Sequence, residues 1–189
     1  MPSLVHPAHQ RLRFHPPPGP PTQAAHARAV LRLLLAQDGS TTRLCEAIAG
    51  GPVSLHLLEQ RVVDSVPGKV HNALPGSNFI ERITCLAAHG QVMMDNLSYI
   101  ALEGLPVDLR RDLEGGTVPI GHLLSRLWVR RSFLDAAPML YERLWAVVGL
   151  PDPEASRTYC IATPEGPRML IAETYRRGML MGRDGPTNA

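Results

Sequence analysis

The sequence predicts an α+β fold, a single domain in which helices pack on an antiparallel β-sheet. Three observations predict it. Helical periodicities are bunched, whereas alternating runs follow one another directly, an order that fits hairpins better than a βαβ winding. Two turn signals, His89-Gly90 and Pro164-Glu165-Gly166-Pro167, each sit between two alternating runs. The chain has 189 residues with 44% hydrophobic content, enough for one real core.

Residues 1–21 hold seven prolines and read as an irregular or polyproline-II arm. The domain is expected over 22–178, with 179–189 as a flexible tail of polar residues and glycine. Thr22 is placed to cap a helix running to about Gln37, with Ala27, Leu31, Leu34 and Leu35 on one face and Asp38-Gly39 ending it. Ser40 or Thr41 caps a short second helix through Leu44, Cys45 and Ile48, which Gly50-Gly51 stops.

A long strand is expected over 53–63. The stretch 64–78 carries Pro67-Gly68 and Pro75-Gly76 with few apolar anchors, and reads as a long loop or lid. Runs 79–88 and 92–102 pair as a hairpin. Pro106 and Pro119 each open a short helix, the first closed by Gly115-Gly116, the second turning Ile120, Leu123, Leu124 and Leu127 inward. A strand follows over 128–134, then a helix between Pro138 and Gly149, with proline at its start and glycine past its end. Runs 158–163 and 168–176 form the last hairpin.

Composition excludes several function classes. A net charge of +2 without a lysine–arginine run, and only 9 aromatic residues, leave no electrostatic stripe or stacking platform for nucleic acid. No apolar run reaches membrane-spanning length. Cys45, Cys85 and Cys160 are widely separated, which fits reduced thiols in a cytoplasmic protein. Glycine-rich phosphate loops, HExxH and GxSxG are missing, and no histidines stand at metal-ligand spacing. His6, His9 and His15 read as residues of a solvated arm, His56 and His122 as structural, and Met93, Met94, Met179 and Met181 as packing.

The chemistry the chain offers is sparse. Arg82 shares its strand face with Ile80 and Leu86. Glu173 shares its own with Met169, Ile171 and Tyr175. A guanidinium among aliphatics either pairs with a buried acid of its own protein or waits for an anionic ligand. Periodicity alone does not decide between a structural Arg82–Glu173 pair and a site.

Several segments, in order, resemble the chorismate pyruvate-lyase family, also called 4-hydroxybenzoate synthases, and most its actinobacterial branch. They are Leu31-Arg32-Leu33-Leu34-Leu35-Ala36 with Asp38-Gly39-Ser40-Thr41-Thr42-Arg43-Leu44; Glu59-Gln60-Arg61; the strand bearing Arg82; Leu105-Pro106; Pro119-Ile120-Gly121-His122-Leu123-Leu124; and Arg157 through Met169-Leu170-Ile171-Ala172-Glu173. The resemblance implies a cofactor-independent cytoplasmic enzyme, a monomer or weak dimer, that eliminates pyruvate from chorismate. It makes Arg82 the holder of a substrate carboxylate and Glu173 the catalytic proton handler, with Ile120 and Ser40 substrate-binding. It implies no metal, nucleic-acid or membrane partner. Asn96-Leu97-Ser98 stands where close relatives often read Ala-Glu-Ser, and Cys160 where a basic residue is frequent.

The alternative within the same fold is a non-catalytic module for an aromatic acid or other effector, since the fold also resembles the effector-binding domains of GntR-type regulators. The arm before Thr22 is too short for their winged helix-turn-helix, which favours the enzyme. A lyase for a related enolpyruvyl cyclohexadiene acid is a third possibility.

Overall fold

Six strands form one antiparallel sheet in the order β1-β2-β3-β6-β5-β4. The structure is a computed structural model that describes residues 23–180. The arm, the Thr22 cap, His6, His9, His15, Met181 and most of the expected tail lie outside the described residues. The strands are β1 Ser54–Val63, β2 Phe79–Ala88, β3 Gln91–Ala101, β4 Arg130–Leu134, β5 Ser156–Thr163 and β6 Gly166–Tyr175. The expected α+β class with helices packed on an antiparallel sheet is the one present. β2 and β3 are joined by His89 and Gly90, with φ of 51° and 72°. Two successive left-handed residues are what a two-residue hairpin turn needs.

Among the described residues six α-helices cover the sheet: α1 Gln23–Ala36, α2 Thr41–Ala49, α3 Gly68–Ala73, α4 Val107–Glu114, α5 Ile120–Leu124 and α6 Pro138–Val148. Period-two alternation sorts side chains to the two faces. On one face Phe79, Ile83, Leu97, Leu170 and Ala172 pack with Leu140 and Leu144 of α6 and Val70 of α3. On the other face the apolar surface is split. Ile80, Ile100, Met169 and Ile171 pack under α4 and α5. Leu86, Met93, Met94 and Tyr175 pack under α1 and α2. The gap between these two clusters holds the candidate site.

Three expectations are corrected. The stretch 64–78 is not a structureless lid: it contains α3, whose Val70 is fully buried and whose following Leu74 is 3% exposed. The i, i+4 pair Val70/Leu74 anchors this turn to the core, and the proline–glycine punctuation only marks its ends. The alternation expected along 53–63 breaks at a register shift between Leu57 and Glu59, where a bulge turns the rest of the edge strand over. β4 is shorter than 128–134, and Trp128 stands outside it, 69% exposed. Met179, read from the sequence as a packing residue, is buried in the 3-10 turn Arg177–Leu180, with its sulfur 3.6 Å from that of Cys45. Among the described residues no helix is long and apolar enough to cross a membrane.

Candidate ligand-binding site

Strand register builds a polar belt across the split face. Thr84 stands opposite Asn96, Asn96 opposite Glu173, and Glu173 opposite Arg157. One two-residue step along, Arg82 stands opposite Ser98, and Ser98 opposite Ile171. Directly paired residues of antiparallel strands share a face, so a row of polar groups crosses the sheet between two apolar clusters. The starts of α2 and α5 roof this belt. They approach so closely that a Cβ on Gly121 would lie 2.3 Å from Thr42 Oγ1 and 2.7 Å from Ser40 Oγ.

Arg82 is completely buried. Its Nη2 donates to the carbonyls of Gly116 (3.1 Å) and Val118 (3.2 Å) in the loop between α4 and α5. Gly116 has φ +70°, and a Cβ there would meet Leu57 Cδ2 at 2.7 Å, so glycine lets that carbonyl reach the guanidinium. Nε and Nη1 are buried with no hydrogen-bond partner. Burial lowers the pKa of this guanidinium from its ordinary value, yet arginine stays protonated in proteins. A buried cation with unmatched donors is costly, and an anion arriving there would relieve that cost.

Glu173, also completely buried, is in the opposite condition. It accepts from Arg157 Nε (2.6 Å), Tyr175 Oη (2.9 Å), Tyr159 Oη (3.0 Å) and Thr41 Oγ1 (3.1 Å). A carboxylate has about four lone-pair sites, and all are taken. Burial first, then the negative charge of Glu173, push both phenols up, so they remain donors. Arg157 lies 5.2–5.5 Å from the ring centroids of Phe133, Tyr159 and Tyr175, and its Nη1 donates to Leu34 O (2.9 Å) at the end of α1. The buried pair is therefore Arg157–Glu173, not Arg82–Glu173. On the sheet, Arg82 and Glu173 are separated by two strand spacings and one two-residue step, roughly 12 Å between backbones.

Arg82, Glu173, Ile120 and Ser40 nonetheless all line one pocket. Ser40 serves twice, since its Oγ also accepts from Arg43 N to cap α2 (3.4 Å). Thr84, Tyr159 and Arg131 line the pocket too and were not singled out from the sequence, while Thr41 was met there only as a cap candidate and Asn96 only as a departure from the family pattern. Of the departures from the family pattern, only Asn96 faces this side, its side chain accepting a short hydrogen bond from Ser98 Oγ. Leu97 and Cys160 pack on the opposite face. The enclosed space is a cavity of about 50 Å³. That is room for a few waters and far below the several hundred Å³ of an ordinary ligand site, so a ring-sized ligand requires the roof to shift. Among the described residues no cluster of three or more ligating side chains could hold a metal ion.

No family model and no curated protein matches the chain. Solved structures do. One is described as the ligand-binding domain of a GntR-family transcriptional regulator from Bordetella bronchiseptica (TM-score 0.43, 15% identity, covering 67% of this chain and 83% of that one). Another is a GntR-family transcriptional regulator from Bacillus cereus (TM-score 0.41, 11% identity, 65% and 90%). A third is PhnF from Mycobacterium smegmatis (TM-score 0.46, 13% identity, 75% and 65%).

The expectation of a chorismate pyruvate-lyase is corrected. Glu173, the expected proton handler, has its acceptor sites filled by its own protein. At this similarity nothing about those proteins' ligands carries over to this chain.

Proposed function

We propose that the chain is a non-catalytic binding module for a small anionic molecule, an aromatic acid being the class that best suits a pocket walled by Leu86, Ile120, Ile171 and Tyr159. The single observation that carries this reading is Arg82, fully buried and holding two guanidinium nitrogens unmatched where it lines the cavity. Natural cores rarely keep such a group without a partner, and functional sites are where that rule is broken. A carboxylate would take charge-assisted hydrogen bonds from Nε or Nη1 while Nη2 keeps the Gly116–Val118 loop in place. Glu173, tied to Arg157, acts as a fixed wall of the pocket.

Thermal unfolding with benzoate and with benzamide, its uncharged isostere, tests the reading. Benzoate raises the melting temperature of the wild-type chain in a concentration-dependent way, benzamide does not, and Arg82→Gln abolishes the benzoate response. Equal responses to the acid and the amide would contradict the proposal.

A further inference from the structure

Arg131, half-buried where Arg82 is fully buried, shares part of its condition at the far edge of the sheet. It lies on β4 opposite Ile161 of β5, and its Nε is buried without a hydrogen-bond partner. Among the described residues it has no carboxylate within ion-pair distance, which it shares with exposed arginines such as Arg43, but unlike Arg43 it keeps a buried, unmatched nitrogen.

Its place is also distinctive. Arg131 lines the inner cavity together with Arg82 and, at the same time, an outer groove of about 350 Å³ that shares Ser40, Gly121 and Leu124 with it. That groove continues past Arg43 and Trp128 and has no acidic residue in its lining. The inner cavity has one acid, Glu173, already neutralised by Arg157. The two compartments therefore present a surplus of positive charge at two points. The strands carrying those points are four strand spacings apart, roughly 19 Å along the sheet. That is a distance between backbones: both side chains reach inward to line the same cavity, which shortens the span between the two cations to one a small molecule with two negative groups can bridge.

We propose that Arg131 is the second anion-holding residue of the site, so that the ligand carries two separated negative groups, one at Arg82 in the inner cavity and one at Arg131 where the cavity opens into the outer groove. This rests on the binding reading above and deepens it. It sets the ligand class as a small dianion whose body bridges the two compartments, with carboxylate or phosphate as the second group. It also gives the small inner cavity a role: that volume holds the end of the ligand and the outer groove holds the rest.

Calorimetric titration of the full chain with benzoate, terephthalate and 4-carboxyphenyl phosphate tests this. At least one dianion binds tighter than benzoate by about tenfold or more, as one additional charge-assisted contact allows. The better of the two names the second group. Arg131→Gln removes that advantage while weakening benzoate far less, and Arg131→Lys, which keeps the charge, retains part of it. Benzoate binding with no dianion advantage, or an advantage that survives Arg131→Gln, overturns the inference and leaves the binding module standing. Failure of all three acids to bind overturns the binding reading itself.

Discussion

Arg82 and Arg157 lie on the same face of the same sheet, both buried, and their bonding gives them opposite duties. Arg157 is matched: it pairs with Glu173, donates to carbonyls at the end of α1 and to Thr41, and is surrounded by three rings. Removing it leaves Glu173 as a buried, uncompensated charge. Arg157→Met is expected to cost roughly 3–5 kcal/mol, a fall in melting temperature of about 10 °C for a chain of this size. Arg82 is under-matched, so Arg82→Met forfeits only two carbonyl contacts and removes an unpaired cation. Its melting temperature is expected to change by far less, or to rise, while benzoate binding is lost. Chemical denaturation of the two variants side by side checks this, and equal destabilisation would mean Arg82 is structural. Arg82 and Glu173 were legible in the sequence because each breaks an apolar alternation. Their failure to pair was not, because Arg157 faces Glu173 only through a register that no local pattern encodes.

Among the elements, the junction of α2 and α5 controls the pocket. Both helices begin at its roof, Ser40 capping one and Pro119 preceding the other, and Gly121 lets them touch. Gly121→Ala has no backbone penalty of conformation, since no positive φ is involved, yet its Cβ overlaps Thr42 and Ser40. The helices must separate, at an expected cost of about 1–3 kcal/mol. Benzoate affinity is expected to change with it. A Gly121→Ala chain with wild-type stability and affinity would remove this junction from the account. The caps and prolines that start these helices were readable one by one. α3 was not, because Pro67-Gly68 and Pro75-Gly76 mark a loop while two apolar residues, Val70 and Leu74, do the anchoring. Tertiary burial outweighs turn composition there.

For the molecule as a whole, the far face of the sheet carries a second buried polar centre that sets its response to acid. Glu81 accepts from Tyr99 Oη (2.6 Å), Arg143 Nη2 (2.8 Å) and Arg61 Nε (3.0 Å). Burial alone would raise its pKa, but these donors outweigh it and hold the carboxyl below its ordinary value. With the folded value below the unfolded one of about 4.3, ionised Glu81 contributes stability above that pH. The contribution is lost as pH falls through the lowered folded value. Glu81→Gln is therefore expected to lose more stability at pH 7 than in strong acid, measured by urea denaturation across the range. A penalty independent of pH would contradict the assignment. Asp95 runs the other way: burial outweighs Arg176, 2.5 Å away, and raises its pKa. Its contribution is present in acid and is lost as pH rises through that raised value.

The sheet, its hairpins and most helices followed from periodicity and punctuation, because each strand's burial pattern is local. The site did not follow in the same way, because a belt running perpendicular to the strands is invisible along any one of them. The side-chain nitrogen–proton NMR signals of the buried arginines during a benzoate titration test the central claim most directly. The account predicts a saturable shift of the Arg82 Nε–Hε signal, identified by its absence in Arg82→Gln, while the Arg157 signal moves little. A titration that moves Arg157 and leaves Arg82 unchanged, or moves neither, would contradict it.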